Sequence, residues 1–216
     1  VLDRSNTMLT RDGATLDADA AVAAYTIQTC THPSNMITDG ACACGMLCPH
    51  ERYTEEGKCA ICGAGAAMVL EQAGGKKTYG SYLDMWELLQ NATEPVNGTL
   101  KLLQDVSYDK KEQHGLLMFS GNLTLDLNGK TLSCTDPNKM AQILQILGLD
   151  KGSTMTIIDS AGTGTCSVTL SPVNMTLIIR SGKFEAPYES GYAAQVNPSS
   201  SGAKLRIEGG TLTGVG

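Results

Sequence analysis

The chain has 216 residues, with 16 Lys and Arg against 22 Asp and Glu, enough for one ordinary domain plus a small one at a mild negative charge. No block of basic residues is present to neutralise phosphates, which argues against nucleic acid and anionic membrane surfaces as partners. No apolar run approaches the ~20 residues that span a bilayer, so membrane insertion is not expected.

Aromatics are sparse, with 1 Trp and 2 Phe, while Gly reaches 24. That balance suits many short strands separated by tight turns. The opening Val1-Leu2-Asp3-Arg4 shows no charged leader followed by an apolar core. The chain also stops within a repeating pattern at Gly209-Gly210-Thr211-Leu212. The first leaves a cytosolic protein or a trimmed mature fragment as alternatives, and the second favours the fragment, truncated at its carboxyl end, of a longer chain with further domains. Residues 1–29 match no motif; a strand or two around Ala21 to Gln28 is the only expectation for them.

Residues 30–63 hold 6 of the 8 Cys, arranged as a repeat. The first copy places Cys30 and His32 ahead of Cys42 and Cys44; the second places Cys48 and His50 ahead of Cys59 and Cys62. Each copy supplies three thiolates and one imidazole, the donor count of a closed tetrahedral structural zinc site. A close Cys pair ending in Gly (Gly45, Gly63) makes a tight knuckle whose amides point at the sulfurs, and Gly permits the positive φ this needs. Two structural zinc ions are therefore expected, with no coordination position left open for catalysis. A disulfide cluster is the alternative, although it gives no reason for His to recur at the same place in both halves. Local pairing is preferred over sites that interleave between the halves. The segment has too few apolar residues for a core, so metal would supply most of its folding free energy.

Residues 64–80 are rich in Gly, Ala and Lys and read as a linker. Ser81-Tyr82-Leu83-Asp84 reads as a capping box opening a helix, with Tyr82, Met85, Trp86 and Leu89 on one face. That stripe is expected to lie on a core end.

From Gly98 onward, short alternations of apolar and polar residues are punctuated by Gly, Asn, Asp, Pro and Ser. The clearest are Leu100-Lys101-Leu102-Leu103, Leu123-Thr124-Leu125-Asp126-Leu127, Met155-Thr156-Ile157-Ile158, Met175-Thr176-Leu177-Ile178-Ile179 and Lys204-Leu205-Arg206-Ile207. A strand–turn–strand phrase shared by four of these stretches recurs after about 32, 20 and 28 residues, the mark of a solenoid. The expected inner columns are Leu125 with Ile157, Leu177 and Leu205, and Leu127 with Ile179 and Ile207. The expected outward row is Asp126, Ile158, Ile178 and Arg206. Loops at 135–142 and 186–202 leave the coils, and an immunoglobulin-like sandwich is the competing architecture. Cys134 and Cys166 read as buried thiols, with a disulfide between neighbouring coils as the alternative.

The runs Gly98 to Val106, Leu123 to Leu132 and Gly209-Gly210-Thr211-Leu212, together with the Cys/His repeat, resemble the pectate-lyase-like right-handed β-helices of large surface proteins from Gram-positive gut bacteria. The resemblance covers residues 30–216. It implies a mainly β fold, a right-handed parallel β-helix over 81–216 with a capping helix, and a secreted or cell-surface location. It is specific for fold and weak for function.

Polysaccharide lyases and hydrolases share that fold, but no carboxylate pair of the kind a glycosidase needs is evident. Asp159 and Glu208 read as turn residues, Arg180 as a solvated side chain, and His114 shows no partner. Four Asn-x-Ser/Thr triplets, at Asn91, Asn97, Asn122 and Asn174, read as composition. The expected function is a non-catalytic module for adhesion or glycan binding, with Tyr188 and Tyr192 as candidate contact residues. The alternatives are a polysaccharide-degrading enzyme whose catalytic coils lie outside residues 1–216, and an architectural spacer.

Overall fold

The computed structural model describes residues 52–109, 116–135, 143–187, 192–196 and 202–214, and the backbone of four short strands before them. Those are β1 (Leu9–Arg11) and β2 (Ala14–Leu16), paired antiparallel, and β3 (Ile37–Thr38) and β4 (Ala41–Cys42), also antiparallel. The strand expected around Ala21 to Gln28 lies outside the described residues.

The body of the protein is a parallel β-solenoid of about three turns. Its first sheet stacks β7 (Gly98–Leu102), β10 (Asn122–Asp126), β13 (Thr154–Ile158), β16 (Thr176–Ile179) and β18 (Lys204–Ile207). These coincide with the five alternations read from the sequence, except that Leu103, Leu127 and Met175 lie just outside their strands. A second sheet stacks β8 (Val106–Asp109), β11 (Thr131–Thr135), β14 (Thr165–Ser167), β17 (Lys183–Glu185) and β19 (Thr211–Thr213). The third holds β9 (Leu116–Phe119), β12 (Ile143–Gly148) and β15 (Thr169–Val173). An isolated parallel bridge from Leu170 to Ala194 extends it. All pairings within the coils are parallel, which excludes two facing antiparallel layers.

Register corrects the expected columns by two residues. Leu125 does stand beside Ile157, but the column continues through Ile179 and Ile207 and begins at Leu100. Leu177 and Leu205 belong to the neighbouring column with Leu123 and Met155. Leu127 joins neither; it fills a corner against Gly164 and Gly182, where an added Cβ would lie 2.7 Å and 3.0 Å from its side chain. The cause is Leu177-Ile178-Ile179, three apolar residues in a row, which hide the phase of the alternation. The outward row changes with it: Thr99, Thr124, Thr156, Ile178 and Arg206 align, while Asp126 aligns with Ile158.

Residues 64–80 are not a plain linker. They hold a hairpin of β5 (Met68–Glu71) and β6 (Lys77–Gly80), turned at Gly74 and Gly75, both at positive φ. β5 pairs antiparallel with β7, placing Leu70 beside Leu100 and Met68 beside Leu102. The helix α1 (Tyr82–Gln90) follows, and its capping box forms as read: Ser81 Oγ accepts from the Asp84 amide at 3.2 Å, and Asp84 Oδ2 accepts from the Ser81 amide at 2.6 Å. Tyr82, Met85 and Leu89 are buried. Trp86 donates its indole N–H to the Leu116 carbonyl at 2.6 Å, a polar tie between the helix and β9. Tyr82, Met85 and Trp86 line an apolar space with Leu100, Leu117, Leu125, Leu132 and Leu144. No helix among the described residues is long and apolar enough to cross a membrane.

Candidate metal centre

Arg52 to Ala66 fold into a compact loop with little apolar filling; Cys59 and Ala66 are its buried apolar residues. Backbone bonds give it shape. Thr54 and Ala60 amides donate to the Lys58 and Arg52 carbonyls, and the Gly57 amide closes the Thr54 turn. Within it, Cys59-Ala60-Ile61-Cys62-Gly63 makes the expected knuckle. The Ile61 amide points at Cys59 Sγ at 3.5 Å, the Gly63 amide donates to the Cys59 carbonyl at 2.9 Å, and Gly63 sits at φ +76°. Cys59 is buried and Cys62 is half-buried. An amide aimed at a sulfur suits a metal-bound thiolate, because it spreads charge that would otherwise concentrate there.

Cys59 and Cys62 are two of the four donors that the sequence assigns to the second zinc site. The donors assigned to the other half, Cys48 and His50, lie outside the described residues, as do Cys30, His32 and Cys44; Cys42 is described in backbone only, within β4. Among the described residues no group of three or more His, Cys, Asp or Glu comes together.

In the coils, the carboxylates of Asp105, Asp126 and Asp159 serve turns. Asp126 Oδ1 accepts from the Asn128 and Ser160 amides at 2.9 and 3.0 Å, joining two coils. Lys101 Nζ stands 3.8 Å from its other oxygen, a weaker tie than the two amides. Asp126 is therefore buried beneath its turn, not part of an outward row. Asp159, also buried, accepts from the Gly129 amide at 2.7 Å and the Gly164 amide at 2.6 Å. Asp105 accepts from the Thr131 amide at 2.8 Å. Asp159 thus bonds its own turn, as its position in the sequence suggests, and the coil below as well.

Glu208 is held below the usual carboxylate range, chiefly by the hydrogen bond from Arg180 and then by the nearby Arg206. Arg180 is thus an ion-pair partner at 2.9 Å as well as solvent-exposed. Cys134 stands opposite Tyr108, and Cys166 opposite Leu132 and Phe184, so the two do not face one another across a coil step. Burial pushes the Cys166 thiol up to about 12. Tyr82 and Tyr108 stack at 5.1 Å, and burial raises both phenols.

Of the two candidate contact tyrosines, Tyr192 is 65% exposed, and its carbonyl accepts from Thr169 Oγ1 at 2.6 Å. Tyr188 and His114 lie outside the described residues. Asn174, at φ +52°, donates to the Gly148 carbonyl at 2.9 Å, and Asn97 Oδ1 accepts from the Asn122 amide at 2.9 Å, so these triplets carry turn-holding asparagines. Comparison with protein-family models, with curated proteins and with solved structures returned no match for this chain.

Proposed function

We propose that this chain is a non-catalytic module of a secreted or cell-surface protein, a right-handed parallel β-helix stapled by two structural zinc ions and used for adhesion or glycan contact. The observation that carries the reading is the employment of the carboxylates. Asp105, Asp126 and Asp159 accept backbone amides of the turns, and Glu208 is tied to two arginines. Groups committed in this way suit a scaffold better than acid–base chemistry. The right-handed winding rests on the general preference of parallel crossovers.

The outer faces suit contact. Thr99, Thr124 and Thr156 form one row of hydroxyls on the first sheet, and Ser107, Ser133 and Ser167 another on the second. Tyr192 offers an exposed ring for a sugar face at the third. Incubation with pectin and related glycans, with and without calcium, tests the proposal. We expect retention on a glycan array and no product; release of unsaturated or reducing ends favours the lyase or hydrolase reading instead.

For zinc, the expected result is two atoms per chain in protein purified without added metal, and about one in Cys62→Ser. Cysteines recovered oxidised in pairs would contradict it. His50→Ala should loosen residues 45–63 and leave far-ultraviolet strand content nearly unchanged.

A further inference from the structure

The first sheet ends in two strands that are each bonded on one side among the described residues, β6 to β5 and β18 to β16. β6 runs antiparallel to β5, and β5 antiparallel to β7, so β6 and β18 point the same way. An unpaired strand edge is a template for another strand.

At the β18 edge the interior columns come to the surface. Ile207 is 55% exposed, although Leu100, Leu125, Ile157 and Ile179 of the same column are buried. Leu205 ends the column of Leu123, Met155 and Leu177 half-buried. Leu212 ends that of Val106, Leu132, Cys166 and Phe184 in the same way. The outer side of β18 is charged in a fixed order, with Lys204 and Arg206 first and Glu208 just beyond the strand.

Parity and charge sign choose the occupant. A head-to-tail neighbour would lay β6 along β18 in parallel. Thr78 and Gly80, which share a face with Leu70 and Met68, would then meet Leu205 and Ile207. That arrangement sets Lys77 against Lys204 and leaves Ile207 over a glycine, so like charges meet and apolar surface stays bare. Two copies meeting through β18 itself run antiparallel about a twofold axis. With the axis at Arg206, Leu205 stands opposite Ile207 of the second copy and Lys204 opposite its Glu208. With the axis at Ile207, that residue stands opposite its equivalent and Arg206 opposite Glu208. Either register keeps the aliphatic side chains inward and brings a cation to an anion, twice.

We infer that the β18 end of the solenoid is a self-association surface, through which two copies of this chain pair tail to tail with their β18 strands antiparallel and their lumens closed against each other. The inference rests on neither the zinc nor the glycan reading. One strand and one lumen mouth make a small interface, so the pair assembles with concentration and β18 is the open end of the dilute single chain.

The test is sedimentation equilibrium of the full chain across a range of concentrations. The mass should climb from 22.7 kDa toward twice that value. Ile207→Asp should weaken association about tenfold or more and leave far-ultraviolet strand content nearly unchanged, because the side chain stands half in solvent. Lys204→Glu and Glu208→Lys should each weaken self-association, and mixing the two should restore it as a heterodimer. Arg206→Glu mixed with Glu208→Lys does so instead when the axis lies at Ile207. A single-chain mass at every concentration overturns the inference and leaves the edge to a further coil or another protein. Dimers indifferent to Ile207→Asp overturn it as well, as does failure of both mixtures to restore association.

Discussion

Asp159 shows how one side chain can decide a turn. It is buried, and its two oxygens accept separate backbone amides, Gly129 from the coil below and Gly164 from its own loop. Removing the carboxylate strands both donors, and each hydrogen bond to a charged group contributes about 1.5–3 kcal/mol. Asp159→Ala should therefore lower unfolding free energy by about 3 kcal/mol or more in urea titration, with Asp159→Asn recovering part of it. A loss under about 1 kcal/mol would mean that water replaces the carboxylate. Cys166 makes a prediction of another kind. Burial lifts its thiol from 9.0 to about 12, so the fold favours the neutral form. The contribution is complete below the unfolded value and drains away as pH climbs through the folded one. Between pH 9 and 12 the native chain should lose stability more steeply than Cys166→Ala does, and equal slopes would rule this out. Tyr82 and Tyr108, raised by burial from an ordinary value of 10.0, add losses of the same sign from about pH 10 upward, inside the same window, so Cys166→Ala lessens the slope without abolishing it.

At the level of elements, α1 reads from the sequence because its signals are local. Ser81 and Asp84 answer one another within a single turn, and the Tyr82, Met85, Leu89 face follows the 3.6-residue period. Ser81→Ala should cost about 1 kcal/mol. Trp86→Phe keeps the ring surface but loses the bond to the Leu116 carbonyl, for about another 1 kcal/mol. Thermal melts of the two single variants and the double should show nearly additive shifts, since one acts at the helix start and the other on its face. The first sheet was legible through its alternation, and the knuckle through Gly63, whose φ of +76° the Cys-Gly spacing anticipates. The third sheet was not. Leu116-Leu117-Met118-Phe119 and Ile143-Leu144-Gln145-Ile146-Leu147 are apolar on both faces, so no period marks them as strands. The β5–β6 hairpin was lost for a different reason. Gly74-Gly75 between two short runs signals a hairpin as well as a linker, and choosing between them needs the pairing of β5 with β7, which is not local. Asp126 shows the limit of alternation: parity pointed it outward, and the turn beyond it closed over the carboxylate.

The whole molecule behaves as a stack in which each coil is supported by those above and below it, so stability should vary along the axis. β10 and β13 are bonded on both sides and carry Leu123, Leu125, Met155 and Ile157, all buried. β18 is bonded among the described residues only to β16, and its Ile207 is 55% exposed although it continues the column of Leu125, Ile157 and Ile179. Truncating a central column member removes contacts with two neighbours and leaves a cavity, which costs about 2–5 kcal/mol for Ile or Leu to Ala. The same change at Ile207 removes contact with one neighbour and opens onto solvent. Ile157→Ala should therefore destabilise by several times as much as Ile207→Ala. Native-state amide exchange should be slowest in β10 and β13 and fastest in β18 and β19. Exchange equally slow from β10 to β19 would show that the coils unfold as one cooperative block, with the nearest-neighbour coupling of a solenoid too strong to leave any gradient.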